Sequence, residues 1–260
     1  MKFKYLLPFC FYILIHNPIA GQDTIRFMTY NILHGATTKN DFNLDAIAKA
    51  ISDLDPDFVA LQEVDFKTNR AHGYDLPTEL GYRTKMASIY ATAMLYDGGY
   101  YGEGVLSKYP FISTHNHPLP HHVDHEPRAA LSTLVLTPAG DTIQFIGTHL
   151  DHLNNSISRT AQAKKLIELF SNSKYPTIIA GDLNATPESH DIQIILSAFK
   201  ASDIGPNYQK TYSSSKPTKK IDYIMYDMHH SWRVVKSEAI CDEYVTDHCY
   251  YYVDIVLENN

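Results

Sequence analysis

Thr177-Ile178-Ile179-Ala180-Gly181-Asp182-Leu183-Asn184-Ala185-Thr186-Pro187 is the stretch that decides the fold. A β-branched, apolar run stops at Gly181, and two polar side chains follow at Asp182 and Asn184. The run has the length and composition of a buried strand, and the glycine and proline near its end mark a tight exit. Residues two apart in extended backbone point to one side, which sets Asp182 and Asn184 toward a common point past the strand end. A carboxylate that only accepts hydrogen bonds, beside a carboxamide, suits gripping a water or a phosphoryl oxygen. The same residues also make an ordinary Asx turn, so the neighbouring stretches have to choose.

Upstream, Leu131 to Leu136 and Thr142 to Thr148 read as paired strands around Pro138-Ala139-Gly140-Asp141, and the second runs into His149. A helix follows with Ala163, Leu166, Ile167 and Phe170 on one face. At the front, Ile25 to Tyr30 reads as a strand ending at Asn31. Leu44, Ile47, Ala48 and Ile51 then recur at helical spacing with Asp41 or Asn43 as a cap. Phe58-Val59-Ala60-Leu61 completes a strand–helix–strand unit and delivers Gln62-Glu63 at its end. A hairpin is expected between Ala91 and Ile112, turning at Gly98-Gly99, and a short helix over His190 to Phe199. Residues 205–220 read as a polar surface loop. Ile221 to Tyr226, Trp232 to Ala239 and Cys249 to Leu257 read as the last strands. With no internal repeat and no biased linker, this is one α/β domain, richer in strands than in helices.

The first twenty residues stand apart: Lys2 and Lys4, an apolar run from Tyr5 to Ile15, and Pro18-Ile19-Ala20 before Gly21 have the form of a secretory signal peptide. The domain proper is therefore expected over 21–260, exported to the periplasm or beyond. Cys241 and Cys249 remain in it, and spacing alone allows either a disulfide or two thiols. The whole chain carries 22 Lys+Arg against 29 Asp+Glu, a net charge of −7, and loses two more lysines with the leader. So acidic a protein lacks the footprint of a non-specific nucleic-acid binder. No stretch after the leader is long and apolar enough to span a membrane.

Polar groups now stand at strand end after strand end: Asn31, Glu63, His149, Asp182 with Asn184, Asp222, and Asp247-His248. Each alone is a common turn or cap residue; the repetition is what α/β sheets show where they build sites. Oxygen donors from Asn31, Glu63, Asp182 and Asn184 suit a hard divalent cation, Mg²⁺ or Mn²⁺, and the imidazoles of His149 and His248 can move protons. His115, His117, His121, His122 and His125, interleaved with Pro118, Pro120 and Pro127, read as a solvated loop with no regular ligand spacing.

Met28-Thr29-Tyr30-Asn31, Leu61-Gln62-Glu63-Val64, Gly104 to Pro110, Gly147-Thr148-His149-Leu150, Gly181-Asp182-Leu183-Asn184, Ile221-Asp222-Tyr223-Ile224 and Thr246-Asp247-His248 follow one another in a single order. In these stretches the chain resembles the endonuclease/exonuclease/phosphatase superfamily; Thr246 stands where many members have Ser. The resemblance implies a four-layer α/β sandwich of two packed, mostly antiparallel sheets with helices outside. It also implies roles. Glu63 would hold Mg²⁺, with Asn31 close to it and to the substrate phosphate, and Asp247 beside it. Asp182 would orient or deprotonate the attacking water, and Asn184 would fix the phosphate. His248, held by Asp247, would stabilise charge at phosphorus or transfer a proton. His149 would contact the phosphate or protonate the leaving oxygen, and Asp222 would orient a histidine or bind a second metal.

The expected activity is hydrolysis of a small or lipid phosphoester by a monomeric enzyme. The alternatives are a secreted nuclease, for which Lys216, Lys219 and Lys220 form the densest basic cluster, and an inactive binding module, which retention of Glu63, Asp182 and His248 disfavours. Arg128, just before the Ala129-Ala130-Leu131 run, is either a substrate contact or a surface arginine.

Overall fold

The computed structural model describes residues 24–258; the expected signal peptide at 1–20 lies outside them. In chain order the elements are β1 (Ile25–Asn31), α1 (Leu44–Leu54), β2 (Phe58–Phe66), α2 (Leu76–Thr84), β3 (Ala87–Tyr96), β4 (Gly99–Ser107), β5 (Phe111–Leu119), β6 (Arg128–Leu136), β7 (Thr142–His149), α3 (Ile157–Phe170), β8 (Thr177–Asp182), α4 (His190–Leu196), β9 (Phe199–Ala201), β10 (Asp222–Asp227), β11 (Trp232–Ile240) and β12 (Tyr250–Leu257). They make two six-stranded sheets, ordered β11-β12-β1-β2-β4-β3 and β5-β6-β7-β8-β10-β9. The parallel pairs are β1 with β2 and β7 with β8; each is bridged by a helix, α1 and α3, as a parallel crossover requires. The other pairings are antiparallel, so the expected α/β sandwich is the observed one.

Both faces of the central strands are covered, which is why their sequences read as runs and not as clean alternation. On β1, Phe27 faces the other sheet, while Met28 and Tyr30 face α1 and meet Ile47 and Ile51. Between the sheets Phe27, Phe58 and Phe145 lie with ring centroids 4.9 to 5.5 Å apart, all fully buried. Such aromatic pairs contribute about 1 kcal/mol each beyond the area they bury. Behind the second sheet, Leu166 and Phe170 of α3 and Ile192 and Ile195 of α4 cover Ile146, Ile179 and Met225. The Asn43 side chain caps α1 by accepting from Ala46 N.

Three expectations need correction, and one helix was not expected. The histidine-rich segment is not all loop: His115 and His117 belong to β5, an edge strand, where Pro118 leaves no unmet donor in the sheet. Strand β2 does not end at Glu63 but runs on to Phe66, with a bulge between Leu61 and Val64 and Glu63 at φ +56°. The bulge re-aims that one carboxylate. Residues 205–220 are not simply surface, because Thr211, Ser214 and Lys220 are buried. Helix α2 went unread, although Asp75 caps it and Pro77 sits in its first turn. Cys241 and Cys249 form a disulfide.

Candidate active site

The ends of β1, β7, β8 and β10, the β2 bulge and the segment before β12 meet at one rim around a cavity of about 460 Å³. Asp182 lies at its floor, 1% exposed. Its Oδ1 accepts from Asn184 N at 2.9 Å, so the Asx turn and the site are one arrangement. Asn184 has φ +50°; the turn, not strand pleating, brings the two side chains together. The other oxygen, Oδ2, lies 3.5 Å from His149 Nε2, 3.6 Å from His248 Nε2 and 3.3 Å from Asn31 Nδ2. Burial and the Asp222 carboxylate push the Asp182 carboxyl up to about 7.

The two imidazoles are set differently. Arg128 donates from Nη1 to His149 Nδ1 at 2.9 Å. A guanidinium has no acceptor, so Nδ1 must accept and the neutral ring carries its proton on Nε2. Burial, with the Arg128 charge added, holds His149 well below its ordinary value and keeps it neutral. Asn184 Nδ2, fixed by Leu150 O at 3.0 Å, lies 2.9 Å from that Nε2. Two N–H groups thus stand side by side at the cavity. His248 is the opposite case. Burial would lower it, but Asp222 and Asp182 overcome that and raise it to about 10, so the ring is cationic. Its Nδ1 lies 3.1 Å from Asp222 Oδ2. Asp222, not the expected Asp247, holds His248; Asp247 lines the cavity with its Oδ1 3.5 Å from Thr246 Oγ1.

Glu63 accepts from Asn31 Nδ2 at 3.1 Å and faces His34 Nδ1 at 3.6 Å. Burial pulls its carboxyl up, yet these groups hold it down at about 2. Asn31 turns Oδ1 to Leu33 N at 3.2 Å, so it braces Glu63 with its amide nitrogen in place of presenting the expected oxygen. Arg128 is buried, 3% exposed, which excludes the surface reading. It spans Glu126 and His149 beside the Tyr101 ring.

Tyr101, Glu126, Arg159 and Tyr212 also line the cavity and were not read from the sequence. Tyr212 packs its ring 4.8 Å from that of His248; nothing in its polar surroundings marks it. His34 stood in the strand-end segment beside Asn31, a signal that was available. His115 and His117 do not reach the cavity, and His117 packs instead on Phe170. Among the described residues one group offers three metal-ligating atoms within 4.8 Å of one another, namely Asp182, Asp222 and His248.

Carboxylates, amides and imidazoles converge at the rim of two packed sheets, the donor set that the metal-dependent phosphoester hydrolases of one family carry. The chain belongs to the Endonuclease/Exonuclease/phosphatase family, whose model matches residues 28–248. Among solved structures, the fold is similar to an endonuclease/exonuclease/phosphatase from Beutenbergia cavernae DSM 12333, with TM-score 0.77 and 20% identity over 91% of this chain and 72% of that one. A mannosyl-6-phosphatase from Bacteroides thetaiotaomicron VPI-5482 matches with TM-score 0.72 and 18% identity over 90% of this chain and 100% of that one. The human Nocturnin catalytic domain, solved with a sulfate anion, matches with TM-score 0.72 and 20% identity over 90% and 94%. At these identities the likeness is one of fold.

Proposed function

We propose that this protein is an exported, monomeric, Mg²⁺-dependent phosphoesterase that cleaves a small or lipid phosphoester by in-line attack of water. The observation that carries this reading is Asp182 Oδ2 lying between a neutral and a cationic imidazole. A carboxyl raised to about 7 is poised to take a proton from water near neutral pH. As the water oxygen bonds to phosphorus, that proton passes to Asp182, the bond from phosphorus to the leaving oxygen breaks, and the leaving oxygen keeps the electron pair and takes a proton from solvent. The Nε2–H of His149 and the amide of Asn184 donate to phosphoryl oxygen. His248, kept charged by Asp222, faces the negative charge that grows in the transition state.

The donor set fits a hard cation, since Glu63 is ionised and braced and Asp247 lines the same cavity. These two residues would hold Mg²⁺, or Mn²⁺ in its place. Bound there, the ion would neutralise phosphoryl charge. A small substrate is favoured over nucleic acid because the chain is acidic. The fold-level likeness to a mannosyl-6-phosphatase keeps sugar phosphates in the group to be tried. The test is phosphate release from a panel of small phosphoesters, titrated with Mg²⁺, beside nicking of supercoiled plasmid. Metal-dependent turnover of a small ester without nicking supports the proposal; nicking alone would make the protein a nuclease. A clarified culture in which the protein stays in the cytoplasm would refute export.

A further inference from the structure

The reacting cluster occupies only part of the cavity. Its wall also carries Arg159, which belongs to α3 and is 7% exposed. Two edges of this guanidinium are fixed by the protein. Nε donates to Asp191 Oδ2 at 2.9 Å, and Nη1 donates to the carbonyls of Asp151 at 2.8 Å and Leu153 at 3.0 Å. Thr160 Oγ1 donates to the other Asp191 oxygen, so the carboxylate is fixed in turn. Among the described residues Nη2 has no protein partner, and Arg159 borders the cavity. A guanidinium only donates, so an unpartnered amino group on a fixed guanidinium that borders the cavity offers a charge-assisted donor to an acceptor there. Asn154 and Lys219 line the same cavity and add an amide and an exposed ammonium.

We infer that Arg159 forms a second anion subsite, distinct from the reacting phosphate position, which takes the non-reacting acidic group of a doubly anionic small substrate. That group is a phosphate or a carboxylate. The inference rests on the phosphoesterase reading and narrows its substrate class. The Asp191 partner offsets the charge of Arg159, so the subsite selects by directed N–H groups more than by net charge. A short bis-anion meets the His149 and Asn184 donors at one end and Arg159 Nη2 at the other.

The experiment uses three non-hydrolysable C3 probes with Mg²⁺ present: propylphosphonate, 3-phosphonopropionate and propane-1,3-diphosphonate, each titrated calorimetrically. One charge-assisted hydrogen bond predicts that at least one two-headed probe binds roughly tenfold tighter than propylphosphonate. Which of them does so tells a carboxylate from a phosphate. In Arg159→Lys, which keeps a cation near Asp191 but lacks the second amino group, that ratio should fall to about one. The double variant Arg159→Met, Asp191→Asn removes the buried pair together and should do the same. Equal binding of all three probes, binding of none by a protein that hydrolyses phosphoesters, or a ratio that survives both variants overturns the subsite alone. Binding of none with no phosphoester turned over overturns the phosphoesterase reading and the subsite with it.

Discussion

Asp182 and His248 hold their protons more tightly in the folded chain than free side chains do, and this has a sign. Asp182 is raised from 3.8 to about 7 and His248 from 6.5 to about 10. For each, the stabilising contribution is complete below the ordinary value and is lost as pH rises through the folded one. The metal-free protein should therefore melt at progressively lower temperature between about pH 4.5 and about pH 10. Glu63, held at about 2, works oppositely but only below its ordinary 4.5, outside this window. Added Mg²⁺ should flatten the decline, because a cation beside Glu63 and Asp247 lowers the cost of ionising the neighbouring Asp182. A melting temperature that rises with pH in the metal-free protein would contradict the electrostatics. Arg128 gives a second prediction. Arg128→Met frees His149 to take either tautomer, and turnover should fall roughly 10- to 100-fold, as when other orienting partners are lost. A variant with normal turnover would remove Arg128 from the site. Asn31, His149 and Asp182 were legible because each closes a strand, while the pairing of the site residues was not. Whether His248 leans on Asp222 or on its neighbour Asp247 depends on where β10 lies across the sheet, which no local pattern states.

The segment between β11 and β12 carries Asp247 and His248 and is closed by the Cys241–Cys249 disulfide, next to the paired Ile240 and Tyr250. Thr246 ties it to Asn31 O at 2.9 Å, and Ser214 N donates to Asp247 O at 2.7 Å. Replacing both cysteines by serine should cost about 2 kcal/mol on a loop-entropy account. It should also lower turnover more than it weakens substrate binding, since the loop then samples positions in which His248 is misaimed. Denaturant unfolding and steady-state kinetics on the double variant check both parts; unchanged kinetics would leave the bond a purely global staple. Element type was legible where apolar spacing was strong, as in α1. It failed at α2, whose face rests on Leu76 and Leu80 alone among its large apolar residues at helical spacing. It failed at β5 because histidines and a proline mask an edge strand that has few core contacts to satisfy.

The two sheets hold the site as a unit, since its side chains come from both. Asn31 and Glu63 stand on the first sheet and His149, Asp182 and Asp222 on the second. The aromatic contact between Phe27, Phe58 and Phe145 fixes the sheets against each other. Phe145→Ala should cost about 3–5 kcal/mol, seen as a lowered denaturant midpoint. The sandwich was legible from the ordered strand-end motifs, but the cavity was not, because Arg159, Tyr101 and Tyr212 reach it from three separate segments. The central claim is that Asp182 is the group that takes the proton from water. Its most direct test is the pH dependence of kcat/KM for a metal-dependent phosphoester, compared between the wild-type chain and Asp182→Asn. The account predicts a loss of roughly a hundredfold or more and disappearance of the acidic limb assigned to Asp182. Near-normal turnover with the acidic limb intact would contradict it.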